Sequence, residues 1–384
     1  MTEALGKSTR GAVDPFIVMD VMEAARREEA KGRSIIHLEV GQPGTGAPQA
    51  ALDALTAAMA EGPLGYTVAL GLPALRARIA RLYRDWYGID LNPERVVVTA
   101  GSSAAFQLAF ISLFETGAKV AIGAPGYPSY RNILKALGLE ALNLPTGAET
   151  RFQPICDMVP PEAAGLLVAS PANPTGTMLD RAELAALIEG CAARGQAFIS
   201  DEIYHGLHYG ARAVSALEIS DEVYVINSFS KYFSMTGWRI GWMVVPEAHI
   251  RQVERLSQNL FICAPHASQV AALAAMECGV ELEGNRAVYI ANRALLLDAL
   301  PKAGFADLAP PDGAFYLYAD VSALTNDSRA LATELLEVAG VAVTPGYDFD
   351  PVRGGRYLRF SYAGATEDMA EGPARLAAWY QARR

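Results

Sequence analysis

Val223-Tyr224-Val225-Ile226-Asn227-Ser228-Phe229-Ser230-Lys231 is an apolar run that ends on small hydroxyl residues and a single lysine. A continuous apolar segment of this length, rich in β-branched residues, reads as a strand buried on both faces. Its closing lysine is unusual, because the chain has six lysines against twenty-six arginines. Taken alone, Lys231 is a surface residue whose stem lies along apolar neighbours at a strand end. In desolvated surroundings the same amine loses its proton and becomes a nucleophile for carbonyl carbon. What the other strand ends place beside it decides between the two.

Similar runs precede it at residues 95–99, 119–122, 165–169 and 196–200, with amphipathic stretches such as 181–189 between them. Apolar strands alternating with helices predict an α/β fold with a mostly parallel sheet covered on both faces. The ends of the chain read differently. A helix over about 16–31 and the run 35–40 come first; a long helix over 285–300 and the runs 313–318 and 357–362 come last. The expected organisation is a large domain over 46–283 and a smaller α+β domain built from 1–45 and 284–384.

Bulk properties narrow the function classes. With 384 residues the chain is long enough for two domains, and 51% hydrophobic with 19% charged residues is the composition of a packed globular protein. A formal net charge of −10 argues against general nucleic-acid binding. Cys156, Cys191, Cys263 and Cys278 are widely spaced, which suits a reducing compartment and argues against a metal site or a disulfide framework. No basic-then-apolar leader opens the sequence and no apolar run reaches membrane-spanning length, so the expected location is the cytoplasm.

Ligands of open α/β sheets bind beyond the carboxyl ends of the strands. The first run leads into Gly101-Ser102-Ser103, a small-residue turn opening a helix, where free amides and the helix dipole attract an anion or simply cap the helix. The second leads into Pro125-Gly126-Tyr127-Pro128-Ser129-Tyr130, whose aromatic rings either stack on a flat ligand or pack in the core. The third leads into Ser170-Pro171-Ala172-Asn173-Pro174-Thr175-Gly176, where Asn173 is a fixed amide donor or part of a rigid turn. Asp201 closes the fourth, followed by Tyr204; a carboxylate at a buried strand end needs a charged partner. Arg239 lies eight residues beyond Lys231. A nucleophilic lysine, a buried carboxylate, an anion cradle, a ring wall and fixed amide and phenol donors are together what pyridoxal phosphate requires.

On these segments the chain resembles the fold type I pyridoxal-phosphate enzymes, specifically the class I/II aminotransferases of the aspartate aminotransferase superfamily. The resemblance extends from Leu38-Glu39-Val40-Gly41-Gln42-Pro43, through Gly65-Tyr66-Thr67, to Leu358-Arg359-Phe360-Ser361. It implies an enzyme that moves the amino group of an α-amino acid to a 2-oxo acid by a ping-pong mechanism. It makes Lys231 the Schiff-base lysine and proton carrier, with Asp201 on the pyridine nitrogen. Asn173 and Tyr204 would serve the phenolic oxygen, Tyr127 would stack on the ring, and Ser102, Ser103, Ser228 and Arg239 would hold the phosphate. Tyr66 would reach that phosphate from the other subunit of a homodimer. Arg359 would hold the substrate carboxylate, assisted by Asn173 and the backbone of Gly41. The loop 41–46 lacks the acidic-aromatic pair that often follows the proline in relatives.

The candidate pocket segments 16–19 and 259–265 carry no charge, which favours a neutral or aromatic amino donor with 2-oxoglutarate or pyruvate as acceptor. Aspartate activity would need Arg353, Arg356 or another distant arginine to enter the pocket. A C–S β-lyase would use the same Lys231 and Asp201, and a cofactor-binding transcriptional regulator would need a fused DNA-binding module.

Overall fold

Alternate residues of the central strands pack into different cores, and this divides the molecule into layers. The computed structural model describes residues 6–383. In chain order, helix α1 (Ile17–Glu29) is followed by the short strand β1 (Ile36–His37), then α2 (Gln49–Glu61) and α3 (Pro73–Tyr87). The central region follows as β2 (Val96–Thr99), α4 (Ser102–Leu113), β3 (Lys119–Ala124), α5 (Pro128–Ala136), β4 (Glu140–Pro145), β5 (Gly165–Ala169), α6 (Arg181–Ala193), β6 (Ala197–Asp201), β7 (Tyr224–Ser228) and β8 (Gly241–Val244). Helices α7 (Ile250–Leu260), α8 (His266–Ala275) and α9 (Gly279–Lys302) lead to β9 (Asp307–Leu308), β10 (Tyr316–Asp320), α10 (Ser328–Glu334), β11 (Val341–Ala342), β12 (Thr344–Pro345), β13 (Tyr357–Ser361) and α11 (Thr366–Ala382).

The seven-stranded sheet has the order β2-β8-β7-β6-β5-β3-β4. Val96, Val98, Leu166, Val168, Phe198 and Val225 point into one core. Their neighbours Val97, Leu167, Ile199 and Ile226 point into the other. Apolar side chains on both faces explain why these strands read as continuous apolar runs rather than alternating ones. The sheet is mostly parallel, as expected. β8, directly after Arg239, is the exception, running antiparallel between β2 and β7. The other six strands therefore share one direction, and the carboxyl ends of β2, β5, β6 and β7 open on the same edge.

A four-stranded sheet, β12-β13-β10-β9, lies in the C-terminal part, and β1 pairs in parallel with β11. The N-terminal segment thus joins the C-terminal one. β13 is central: Arg359 pairs with Tyr318 on one side and Thr344 on the other. Leu358 and Phe360 face the core, which leaves Arg359 on the opposite face of the strand. Among the described residues, no helix is long and apolar enough to cross a membrane.

Candidate active site

Lys231 sits in the turn after β7, and its Nζ donates to the carbonyl of Gly41 at 2.6 Å. The residue keeps some surface towards the cleft, but the amine lies 5.7 Å from the ring centres of both Tyr204 and Phe315. Burial lowers its pKa to about 7; Arg359 and Arg239 push the same way and Asp201 opposes them. An ordinary lysine would be almost wholly protonated at neutral pH, whereas about half of this amine is available as a base or nucleophile.

Asp201 ends β6 on the same face as Ile199, which turns its carboxylate into the core that holds Tyr130. It is 2% exposed, accepts a short hydrogen bond from the Tyr130 hydroxyl, and accepts the Ile203 amide at 3.1 Å. Burial raises its pKa to about 6, against the pull of those two donors and of Lys231. Asp201 is therefore mainly a carboxylate at neutral pH, poised to take up a ligand cation. Tyr127 precedes α5, and its ring meets that of Tyr130 edge-on at 5.3 Å.

Asn173 and Arg359 meet directly. Arg359 Nη1 donates to Asn173 Oδ1 at 2.8 Å, and Nη2 donates to the Glu39 carbonyl at 2.5 Å. The guanidinium lies between the rings of Tyr316 and Phe349, 4.3 and 4.7 Å from their centres. Its buried Nε has no partner among the described residues, so one donor is free for a ligand. The loop carrying Asn173 is held from behind: His205 Nε2 bonds the Ser170 carbonyl at 2.9 Å while Nδ1 bonds the Tyr87 hydroxyl at 2.6 Å. Burial lowers the His205 pKa to about 3, so this brace stays neutral at physiological pH.

The anion cradle forms where β2 turns into α4. Gly101 precedes the helix at φ 75°, and no side chain caps the first turn. A Cβ on Gly101 would collide with the Arg239 guanidinium, and one on Gly241 would stand 3.1 Å from the Ser102 amide. Two glycines thus open the space in which bare amides and a guanidinium converge, the arrangement an anion needs. Ser228 Oγ donates to Ser230 Oγ at 2.9 Å on the same side.

Most of the sequence-derived residues come together here. Tyr204, 3% exposed, places its hydroxyl 2.7 Å from that of Tyr316. Two side chains do not converge on the cleft. Ser103 lines a groove with Val13, Gln107, Ser129 and Asn132. Tyr66 is 82% exposed and shares a surface groove with the segment around Phe261 and Ile262, a segment that therefore does not wall this chain's own cleft. Of residues 16–19, Phe16 packs on the ring wall, 5.9 Å from Tyr127, and Ile17 faces a groove beside α10. The loop 41–46 is pinned on two sides, by the Gly44 amide on the Ala363 carbonyl at 2.8 Å and by Thr45 Oγ1 beside Ser234 Oγ at 2.8 Å.

Sequence reasoning named Tyr130 only as a ring that stacks or packs, not as the partner of Asp201, and it missed Tyr316. Tyr130 lies three positions after Tyr127 at the start of a helix, so helical spacing alone would have placed both on one face. Tyr316 gives no local signal, because its contacts with Tyr204 and Arg359 arise only when two sheets meet.

A buried amine, a buried carboxylate, a phenol pair, an arginine–asparagine clamp and an anion cradle therefore lie together beyond the strand ends. The family model for aminotransferase class I and II matches residues 33–375. The chain belongs to that family. It is 48% identical over 377 residues to the valine–pyruvate aminotransferase of Mycobacterium tuberculosis, covering 96% of this chain and 97% of that one. A crystal structure of an aminotransferase from Mycobacterium tuberculosis superposes with a TM-score of 0.97 at 47% identity, covering 99% of this chain and 100% of that one. Aspartate aminotransferase from Thermus thermophilus with maleate gives a TM-score of 0.91 at 30% identity, with 98% and 100% covered. The chain is thus an aminotransferase of fold type I, acting on amino and oxo acids.

Proposed function

We propose that this aminotransferase uses pyridoxal phosphate to transfer the amino group of a neutral α-amino acid to a 2-oxo acid in two half-reactions. The observation that carries the reading is the pairing of Lys231, with its lowered pKa, and a buried arginine that keeps a free donor. Bound pyridoxal phosphate supplies an aldehyde that condenses with amines and a protonated ring that accepts the electron pair left by the departing α-proton. Asp201 holds the proton on the ring nitrogen, and Tyr130 holds Asp201. Tyr204 and Asn173 serve the phenolic oxygen, while Tyr127 walls the ring. The Ser102 and Ser103 amides, Ser228 and Arg239 neutralise the phosphate. Arg359 fixes the α-carboxylate through a planar fork, with Asn173 and Gly41 beside it, which leaves the α-hydrogen facing the Lys231 amine. Lys231 removes that proton and returns it one carbon away.

A neutral donor is favoured by the state of the arginines. Arg353 Nε is bonded to Asp350 at 2.8 Å, and Arg353 also donates to the Ala124 carbonyl. Arg356 is bonded to Asp320 at 2.7 Å. Both are committed elsewhere, so neither supplies the second cation that a dicarboxylate needs. The valine and pyruvate in the name of the 48% identical relative support the same preference.

The reading includes a homodimer in which Tyr66 of one subunit reaches the phosphate of the other. Tyr66, Val68, Leu260 and Ile262 are 82, 58, 50 and 51% exposed. Apolar exposure on this scale supports a covered surface. The division into a large domain over 46–283 and a small one from the two ends belongs to the same reading. It is supported by the parallel pairing of β1 with β11.

The test is a donor panel on the purified, cofactor-loaded protein with pyruvate or 2-oxoglutarate as acceptor. Valine, other neutral donors and aromatic donors are expected to exceed aspartate in kcat/KM by at least about tenfold, the scale of one unmatched polar contact. A preference for aspartate would overturn the neutral-donor reading.

A further inference from the structure

Helix α1 lacks a cap of its own. Phe16 stands at its N-cap position with no side-chain hydrogen bond to the first turn. The amides of that turn, which have no partner within the helix, are served from the far end of the chain: Ile17 N donates to Asp348 Oδ1 at 2.9 Å and Val18 N to Asp348 Oδ2 at 3.2 Å. Asp348 is 0% exposed. Both carboxylate oxygens are therefore spent on holding one helix end in place.

The turn that carries Asp348, residues Gly346–Asp348, lies between β12 and β13 and is itself fastened to the active-site wall. The Gly126 amide donates to the Phe349 carbonyl at 3.1 Å, tying the turn to the loop that bears Tyr127. Arg131 Nη2 donates to the Asp348 carbonyl at 2.8 Å. The Phe349 ring lies 4.7 Å from the Arg359 guanidinium. One short turn thus fixes the end of α1 relative to both the ring wall and the carboxylate site. What that end presents is Phe16, edge-on to Tyr127 at 5.9 Å.

We infer that Asp348 is a positioning residue for donor selection: it holds the start of α1 so that Phe16 forms the apolar wall met by the substrate side chain. This rests on the proposed function, since a donor whose carboxylate lies on Arg359 and whose amine lies near Lys231 has only its side chain left to point towards α1. Contact with Phe16 then grows with side-chain size. Alanine barely reaches it, whereas a branched donor such as valine packs on it.

The experiment compares Asp348→Ala, Asp348→Asn and Phe16→Ala with the parent, all loaded with cofactor, using valine and alanine as donors. Asp348→Ala is expected to lower kcat/KM for valine about tenfold, the effect of losing a helix cap expressed in binding, and mainly through KM. Alanine should change less than about twofold, because it makes little of the contact. Amide exchange of the peptide that starts α1 should quicken in Asp348→Ala, with or without substrate. Asp348→Asn, which keeps one acceptor, should fall between. Phe16→Ala should reproduce the valine-specific loss without faster exchange, and it decides the matter if Asp348→Ala fails to fold. Equal losses on valine and alanine, or no loss on either, would overturn the inference. If the parent turned over neither donor, the proposed function would fail, and unchanged amide exchange would then refute the positioning role separately.

Discussion

Lys231→Ala should leave a folded protein that transaminates at least about 10⁴-fold more slowly, because the proposed covalent anchor and proton carrier are both gone. Lys231 donates to the Gly41 carbonyl and is otherwise enclosed by aromatic rings, so truncation removes one hydrogen bond and no ion pair. A loss of activity would therefore report chemistry rather than unfolding, and an unchanged thermal midpoint checks this. Borohydride treatment of the loaded parent should fix the cofactor to the peptide containing Lys231, and the variant should yield no such adduct. The sign of the pH dependence follows from the lowered pKa. Burial, helped by Arg359 and Arg239, brings the amine to about 7, so it is neutral above that pH and protonated below it. Capture of pyridoxal phosphate by the cofactor-free protein should rise about tenfold per pH unit below 7 and level off above it. A rate still climbing steeply at about pH 9 would mean an ordinary lysine. Full turnover by Lys231→Ala would remove the basis of the assignment.

Arg359→Lys should raise KM for the amino donor about 100-fold while cofactor affinity changes little. The guanidinium spans Asn173 Oδ1 at 2.8 Å and the Glu39 carbonyl at 2.5 Å, and it is held flat between two aromatic rings. A lysine supplies the same charge from a point, without the planar fork, and cannot satisfy both acceptors and a carboxylate together. A lost charge-assisted hydrogen bond in a buried site costs about 1.5–3 kcal/mol, the size of effect expected here. Steady-state kinetics with valine and equilibrium cofactor binding separate the two functions. An unchanged KM would contradict the carboxylate role, and a collapse of cofactor binding would mean that Arg359 chiefly supports the fold.

The local pattern revealed the strand ends, and the strand ends carry most of the site. Six strands running one way bring Gly101, Asn173, Asp201 and Lys231 to one edge, so residues far apart in sequence could be collected by a single rule. What escaped was what depends on contacts between separate sheets or between the chain's ends. β8 directly follows Arg239, and its reversed direction is set by pairing with β2 and β7 rather than by any local pattern. Tyr316 acquires its place only where the four-stranded sheet meets the cleft. Asp348 caps a helix 331 positions away, a relation with no trace in local periodicity. The uncharged segment 259–265 pointed to the pocket by composition, but composition does not say which surface a segment covers; in the fold it shares a groove with exposed Tyr66. Arg353 and Arg356 could be weighed as substrate cations in the sequence, whereas the fold engages them with Asp350 and Asp320.

The central claim is that the cleft transfers an amino group rather than eliminating part of the donor, and a half-reaction tests it most directly. Loaded protein mixed with valine and no acceptor should release one equivalent of the corresponding 2-oxo acid per subunit, no ammonia, and then stop; pyruvate added afterwards should be converted to alanine in the same amount. Continuous release of ammonia and a 2-oxo acid without any acceptor, from a donor bearing a β-leaving group but not from valine, would contradict the account.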